Sequence, residues 1–347
     1  MDPLSDLLRR AGAGDARVRQ LIQRPPWSIT FADAPSITVF ATLGGAATLR
    51  LEDMPSVAPV RLAVGDIALV TQSTRHTIAD DLTTPPQVVI RAGQKQFLGD
   101  PDQFPGPRTF LAPRTCGDGL PGATTMLRGM FTVRGEAGRR LLGMLPPLAV
   151  VPAGPGTGAV LDLLTAEAAH DEPGQDAVLH RLLDLVLVLA LRAWCAQPGV
   201  NLPAWCRALA DPAMSTALEQ IHEDPARRWT VAELAATVGM SRAAFAARFT
   251  ALVGQPPLAY LTDWRMTLAA DLLSSDPTTT VAAVARAVGY QDAFAFSAAF
   301  KRAKGVSPSR WGRESDDQAA WLAAIDPVAG ASPLPLVAGS SAGSSAG

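Results

Sequence analysis

Val231-Ala232-Glu233-Leu234-Ala235-Ala236-Thr237-Val238-Gly239-Met240-Ser241, followed by Phe245, Phe249, Gly254 and Pro257, returns further on. The second copy is Val281-Ala282-Ala283-Val284-Ala285-Arg286-Ala287-Val288-Gly289-Tyr290, followed by Phe296, Phe300, Gly305 and Pro308. The offset is 50 residues up to the glycine and 51 beyond it, so one extra residue sits in the turn between Gly289 and Asp292 and both flanking helices stay intact. Each copy pairs a short apolar helix with a glycine turn and a second helix carrying Phe at i and i+4, the pattern of a helix-turn-helix. Two copies mean two recognition helices on one chain, suited to two successive stretches of DNA major groove.

Local chemistry supports the unit. Thr230 is placed to cap the helix from Val231, with Glu233 three residues on to complete a capping box; Ser241 and Asp292 cap the two recognition helices. Phe245, Phe249 and Leu252 fall on one face, leaving Arg242, Ala243, Ala246, Ala247, Arg248 and Thr250 on the others. In the second copy Phe296 and Phe300 turn inward, and Phe294, Ser297, Ala298, Lys301 and Arg302 do not. A helix from about 258 to 273 lies between the copies and sets their distance and angle.

The 347 residues are enough for two or three domains, and 48% apolar content excludes a largely disordered chain. Net charge is −2, unlike a nucleic-acid binder until it is divided along the chain. Residues 1–212 hold 19 Lys and Arg against 20 Asp and Glu, residues 213–313 hold 11 against 8, and residues 314–347 hold none against 4. Only the repeated segment is positive, and modestly, so local placement of charge matters more than its total. Three cysteines, Cys116, Cys195 and Cys206, make no even disulfide framework. With no signal-peptide pattern at the N-terminus, a cytoplasmic location is the expectation. The longest apolar run, Leu182 to Ala193, is too short and too interrupted to span a membrane, so no membrane partner is expected.

Residues 2–22 carry helical spacing, broken by Gly12 and Gly14 and ended by Pro25-Pro26. Short β-type stretches follow at Ser28–Phe31, Ile37–Thr42, Ala47–Leu51, Val60–Val64, Ile67–Thr71, His76–Ile78 and Val88–Arg91, separated by turn residues. Many short strands at close spacing suggest a small antiparallel barrel or jelly roll. Residues 99–125, rich in Pro and Gly, read as an extended covering loop. Helical period returns from Ala159 to Trp194, apolar on more than one side, as in a helix deep in a core or shared with a partner. The expected fold class is α+β multidomain: a cupin-like β-barrel over 1–125, a helical connector or dimerisation region over 126–200, and an all-α double helix-turn-helix over 209–313 with its units at 231–252 and 281–303. Residues 314–347 are a flexible tail whose end has the Gly, Ser and Ala composition of an appended linker.

Residues 213–313 resemble the AraC/XylS-type DNA-binding domain of bacterial transcription regulators. The resemblance is most specific from Val288-Gly289-Tyr290 through Ala299-Phe300-Lys301-Arg302 to Gly305-Val306-Ser307-Pro308. The first half is similar to a subgroup with a cupin-like barrel, on Leu62-Ala63-Val64-Gly65-Asp66-Ile67, His76, Cys116-Gly117, Leu145-Pro146-Pro147-Leu148 and Arg181-Leu182-Leu183-Asp184 running to Trp194. What the resemblance implies is a non-enzymatic, sequence-specific transcription regulator, with double-stranded DNA, RNA polymerase and a small-molecule effector as partners, a homodimer, and no cofactor. Its DNA-contacting positions would be Ser241, Arg242, Ala243, Ala246, Ala247 and Arg248, then Phe294, Ala295, Ser297, Ala298, Lys301 and Arg302. Alanine at Ala243, Ala246, Ala247 and Ala298 removes bidentate readout there, leaving thymine-methyl contacts, Arg242, Arg248, Ser297 and DNA shape. Arg265, Lys301, Arg302, Lys304 and Arg310 suit phosphates.

A barrel mouth is a favoured ligand site, and Trp27, Phe40 and His76 are the effector-lining candidates. Two alternatives stay open. One is a metal-dependent cupin enzyme with a helical accessory domain, although His76 is the one histidine in the barrel and a mononuclear site needs more donors. The other is a thiol-based redox sensor in which Cys195 and Cys206, eleven residues apart across the linker, pair and clamp sensor to reader.

Overall fold

The computed structural model describes residues 2–11, 16–72, 74–91, 93–98, 115–117, 122–170, 172–197, 203–276 and 278–313. The tail from 314, most of the expected covering loop and the linker around Pro198 lie outside the described residues.

Helix α1 (Pro3–Arg10) leads into twelve strands: β1 (Arg17–Gln23), β2 (Ser28–Phe31), β3 (Ile37–Gly44), β4 (Ala47–Leu51), β5 (Val60–Leu62), β6 (Ile67–Thr71), β7 (His76–Ala79), β8 (Val88–Arg91), β9 (Gln94–Phe97), β10 (Thr115–Gly117), β11 (Thr124–Phe131) and, after helix α2 (Gly135–Met144), β12 (Leu148–Val151). They form two six-stranded sheets, ordered β10-β1-β11-β3-β6-β12 and β5-β4-β7-β2-β8-β9. Among the described residues no ladder joins the two sheets, so the expected barrel takes its open, jelly-roll form.

Alternation along the strands decides what each face meets. Ile37, Val39 and Ala41 of β3, with Ile67 and Leu69 of β6 and Leu127 and Phe131 of β11, point away from the second sheet. Helices α3 (Pro155–Ala168) and α4 (Gln175–Cys195) cover them. Phe40, Ala68, Val70 and Met126 point the other way, against Phe31, Leu49, Leu62 and Ile78 of the second sheet. The repeated apolar positions of α4, among them Leu179, Leu183, Val186, Ala190 and Trp194, are thus consumed inside one chain. Val186, midway along Leu179 to Trp194, the stretch of the connector expected to pair two copies, is 1% exposed. Exposed apolar surface lies instead at Leu163 of α3 and at Val178 and Leu185, one heptad apart on α4.

Residues 17–23, expected within a helical stretch, form a strand, because Val18 and Leu21 at a spacing of three satisfy a helix while Val18, Gln20 and Ile22 also alternate. Residues 124–131 and 148–151, the greater part of which fell in the expected helical connector, belong to the first sheet: β11 lies between β1 and β3, and β12 pairs with β6. No helix among the described residues is long and apolar enough to cross a membrane.

The remaining helices form the C-terminal unit: α5 (Ala204–Ala210), α6 (Pro212–Glu223), α7 (Val231–Thr237), α8 (Arg242–Val253), α9 (Pro257–Ser275), α10 (Val281–Ala287) and α11 (Ala293–Lys304). They share one core, built on Trp264, Phe245, Phe249, Phe296 and Phe300.

Candidate nucleic-acid interface

The two helix-turn-helix units are built alike down to their caps. Thr230 N donates to Glu233 Oε2 at 2.8 Å and Glu233 N donates to Thr230 Oγ1 at 3.1 Å, completing the capping box of α7. Thr280, which the repeat analysis did not single out, caps α10 by accepting from Ala283 N. Ser241 accepts from Ala244 N at the start of α8, and Asp292 from Phe294 N and Ala295 N at the start of α11. Inside, the Phe245 and Phe249 rings lie 5.6 Å apart and Phe296 and Phe300 5.7 Å apart. The nineteen-residue α9, about 28 Å long at 1.5 Å per residue, stands between the units and contributes Trp264 to their common core.

With the phenylalanines inward, the outer faces of the recognition helices are open. Ser241, Arg242, Ala243, Ala247 and Arg248 of the first are exposed, with Ala246 half-buried; Phe294, Ala295, Ala298, Lys301 and Arg302 of the second are exposed, with Ser297 half-buried. Phe294 is 86% exposed, an isolated aromatic ring at the leading end of α11. Among the described residues Arg242, Lys301 and Arg302 make no ion pair. Several cations expected at DNA from sequence are engaged within the protein. Arg248 pairs with Asp211, the cap of α6. Arg265 donates to the carbonyls of Pro225 and Arg227, at 2.6 and 2.8 Å, and so pins the loop before α7. Lys304 pairs with Glu136 of the sensor half.

Among the described residues Trp205 Nε1 of α5 donates to the Met144 carbonyl of α2 at 2.8 Å, and three further polar links between the two halves stand out. Asp6 of α1 accepts from His222 Nδ1 at 3.0 Å, and His222 Nε2 accepts from the Tyr260 hydroxyl at 2.7 Å. Burial holds the His222 ring below its ordinary value and raises Tyr260, so the ring is neutral and the phenol keeps its proton to donate. The Asp6 carboxyl sits at about 2: burial opposes ionisation, and the hydrogen bonds from His222, Arg9 and Arg10 together with the charge of Arg10 outweigh it. Second, α2 has no cap of its own, and Asp271 of α9 supplies one, accepting from Glu136 N and Ala137 N. Gly135, at φ 71°, leaves room for that carboxylate, since a Cβ there would collide with Asp271 Oδ1. Third is the Lys304 to Glu136 pair. Beside these lies an apolar crevice of about 600 Å³ bordered by Leu4, Leu7, Met144, Trp205, Val253 and Tyr260. Apolar packing also crosses the junction, since Leu7 of α1 and Ala137 of α2 are buried in the core of the C-terminal unit.

The effector candidates lie between the sheets. Phe40 and His76 come together with ring centroids 5.5 Å apart, and Trp27 is buried in the same core. Phe31, 5.1 Å from His76, and Arg128 of β11, whose guanidinium carbon stands 3.8 Å over the Phe31 ring, complete the cluster; neither was among the sequence candidates. The signal for Arg128 was a lone arginine at an inward position of an apolar strand. Burial, and then the charge of Arg19, lowers Arg128 to about 9, and burial lowers His76 to about 4, so at neutral pH the first is charged and the second is not. Cys195 and Cys206 form a disulfide with Cα atoms 5.4 Å apart, tying α4 to α5.

A sandwich whose interior carries polar groups, docked onto a pair of capped helix-turn-helix units with open recognition faces, defines a DNA-binding regulator with a second, β-sandwich domain. Comparison with known proteins agrees. Residues 2–196 match the cupin family model and residues 234–314 a helix-turn-helix domain. A protein of Streptomyces antibioticus named as an AraC-like transcription regulator is 36% identical over 313 residues, covering 89% of this chain and 97% of that one. One of Streptomyces lividans with the same name is 35% identical over 315 residues, with coverage of 89% and 97%. The transcriptional regulator AlkR of Acinetobacter baylyi is 28% identical over 326 residues, with coverage of 91% and 100%. The chain belongs to the AraC-like transcription regulators and binds DNA, and its cupin domain is consistent with effector binding.

Proposed function

We propose that the two recognition helices contact DNA through the residues the sequence singled out, under control of a small molecule held between the sheets. In this reading Arg242, Lys301 and Arg302 hold phosphates, while Ala243, Ala247, Phe294 and Ala298 offer apolar surface to thymine methyls. Arg248 and Ser297, each already bonded inside the protein, offer DNA the guanidinium donors that Asp211 does not use and the hydroxyl oxygen as an acceptor. The observation that carries this is the pair of open, cation-bearing faces on matched, capped helices. In this reading the protein works in the cytoplasm, with RNA polymerase as the partner through which bound protein acts on transcription. The test is footprinting on sites recovered by genome-wide immunoprecipitation, repeated across salt concentrations. Arg302→Ala should weaken binding at every site alike and lower the slope of log affinity against log salt by about 1; an unchanged slope would remove Arg302 from the phosphate contacts.

A homodimer is part of the same reading, with Leu163, Val178 and Leu185 as its apolar stripe. Leu185→Asp, at an exposed position, should leave a folded monomer by light scattering, and a folded variant of undiminished mass would place the contact elsewhere. Val186→Asp is unsuited to that test, because a carboxylate at its buried position would unfold the sensor.

The Cys195–Cys206 bond supports a second, thiol-based mode of control. Two thiols would be oxidised to the disulfide as one peroxide molecule is reduced to two waters. Non-reducing mass spectrometry before and after mild peroxide, beside DNA affinity, checks it; affinity that is the same in both redox states ends the idea.

A further inference from the structure

The space between the sheets holds buried polar atoms with nothing to satisfy them. Thr38, Phe40 and Thr42 alternate onto the inner face of β3, and Arg128 lies opposite Phe40 on β11. Across from them stand His76 of β7 and Phe31 of β2. The Thr38 and Thr42 hydroxyls, His76 Nε2 and Arg128 Nε are all buried without a hydrogen-bond partner. His76 Nδ1 lies 2.9 Å from the Thr74 carbonyl, which can only accept, so Nδ1 carries the proton and Nε2 presents a lone pair to the interior. The guanidinium of Arg128, 6% exposed, lies on the Phe31 face with its donor edge free, and among the described residues it has no ion pair or hydrogen bond. The exposed Asp33 favours its charge only through the longer-range field.

Unpaired buried groups are rare in folded proteins, and an unpaired buried charge is costly. Water could meet the two hydroxyls and the imidazole, but it leaves the guanidinium uncompensated. A carboxylate meets the fork of Arg128 in its preferred bidentate geometry. An imidazole lone pair repels a second anion and takes a hydroxyl donor instead. We propose that the effector, in the sensor reading above on which this rests, is a small hydroxy acid. Its carboxylate is held by Arg128 with Thr38, its hydroxyl donates to His76 Nε2, and its apolar body packs against Phe40.

The experiment is thermal unfolding of the full chain with lactate, mandelate and the three hydroxybenzoates, each beside its neutral amide. At least one acid at millimolar concentration should raise Tm by about 3 °C or more where its amide does not. Arg128→Met should abolish that response without lowering the Tm of the free protein, since it removes an unpaired buried charge and keeps the bulk. Arg128→Lys and Thr38→Val should each weaken the response, and they carry the test if Arg128→Met does not fold. The assignment falls if no acid raises Tm, if amides do so equally, or if the response survives Arg128→Met. An Arg128-dependent acid that leaves DNA affinity unchanged would uphold this site and overturn effector control. Neutral ligands that act through Phe40 and His76 would do the reverse.

Discussion

Gly289→Val should abolish specific DNA binding and destabilise the C-terminal unit by about 2 to 6 kcal/mol. Two costs combine in that figure: a β-branched residue in the left-handed region, about 1 to 3 kcal/mol, and overpacking against fixed backbone, about as much again. Gly289 has φ 85°, and a Cβ there would stand 2.8 Å from Ala226 Cα and closer still to the Ala226 carbonyl. That carbonyl lies in the loop that Arg265 clamps, so the second turn rests on the entrance to the first helix-turn-helix and the substitution reaches both units. The matched control is Gly239→Ala. Its φ is 66° but its Cβ would meet nothing within 4 Å, so it should cost about 1 kcal/mol. Thermal unfolding and electrophoretic shifts of both variants decide the matter. Equal, small effects would mean that the Gly289 contact with Ala226 is not part of the working structure.

Asp6→Ala should cost about 3 kcal/mol, the amount typical of stripping a buried polar group of its charged partner. His222 Nδ1 would lose its acceptor, and Arg9 and Arg10 their common carboxylate. The effect has a pH signature. The Asp6 carboxyl titrates at about 2 in the fold against an ordinary 3.8, so it contributes about 2 kcal/mol that is fully present above pH 3.8 and is lost as pH falls toward 2. His222 acts in the same direction from higher pH. Burial lowers its pKa, so the unfolded chain takes up the proton first as pH falls below 6.5 and stability declines. Urea midpoints plotted against pH should therefore show two declines in the parent protein, with the one below pH 4 shallower in Asp6→Ala, where other carboxyls held low, Glu136 and Asp211 among them, keep the remainder. Parallel curves below pH 4 would dismiss Asp6 as the acid-sensitive link.

What could be read from the chain alone was what depends on near neighbours. Thr230 with Glu233, Ser241 and Asp292 cap helices within three residues of themselves, and all were legible, as were the strands from Ser28 to Arg91 with their intervening turns. Arg17–Gln23 was not, because seven residues that fit either period are assigned by the partners they find, here β10 and β11. The sensor interior was half legible. Phe40 and His76 stood out by residue type, whereas Arg128 becomes conspicuous only once the sheet shows that nothing pairs with it. The junction was beyond reach, since Asp6 meets His222 across 216 residues and Asp271 meets Glu136 across 135, and nothing local marks either contact.

Asp271 ends the first turn of a helix in the other half of the molecule, so neither half carries a complete set of its own boundary conditions. Exchange of sensors between relatives is therefore not a matter of cutting at the linker. A chimera that joins this reader to a foreign sensor keeps its register only if the newcomer brings a glycine followed by two free amides to the spot where Asp271 waits. One that joins this sensor to a foreign reader needs a carboxylate at the matching position of the long helix. Compatibility between sensors and readers is written in that one pair of positions as much as in the operator.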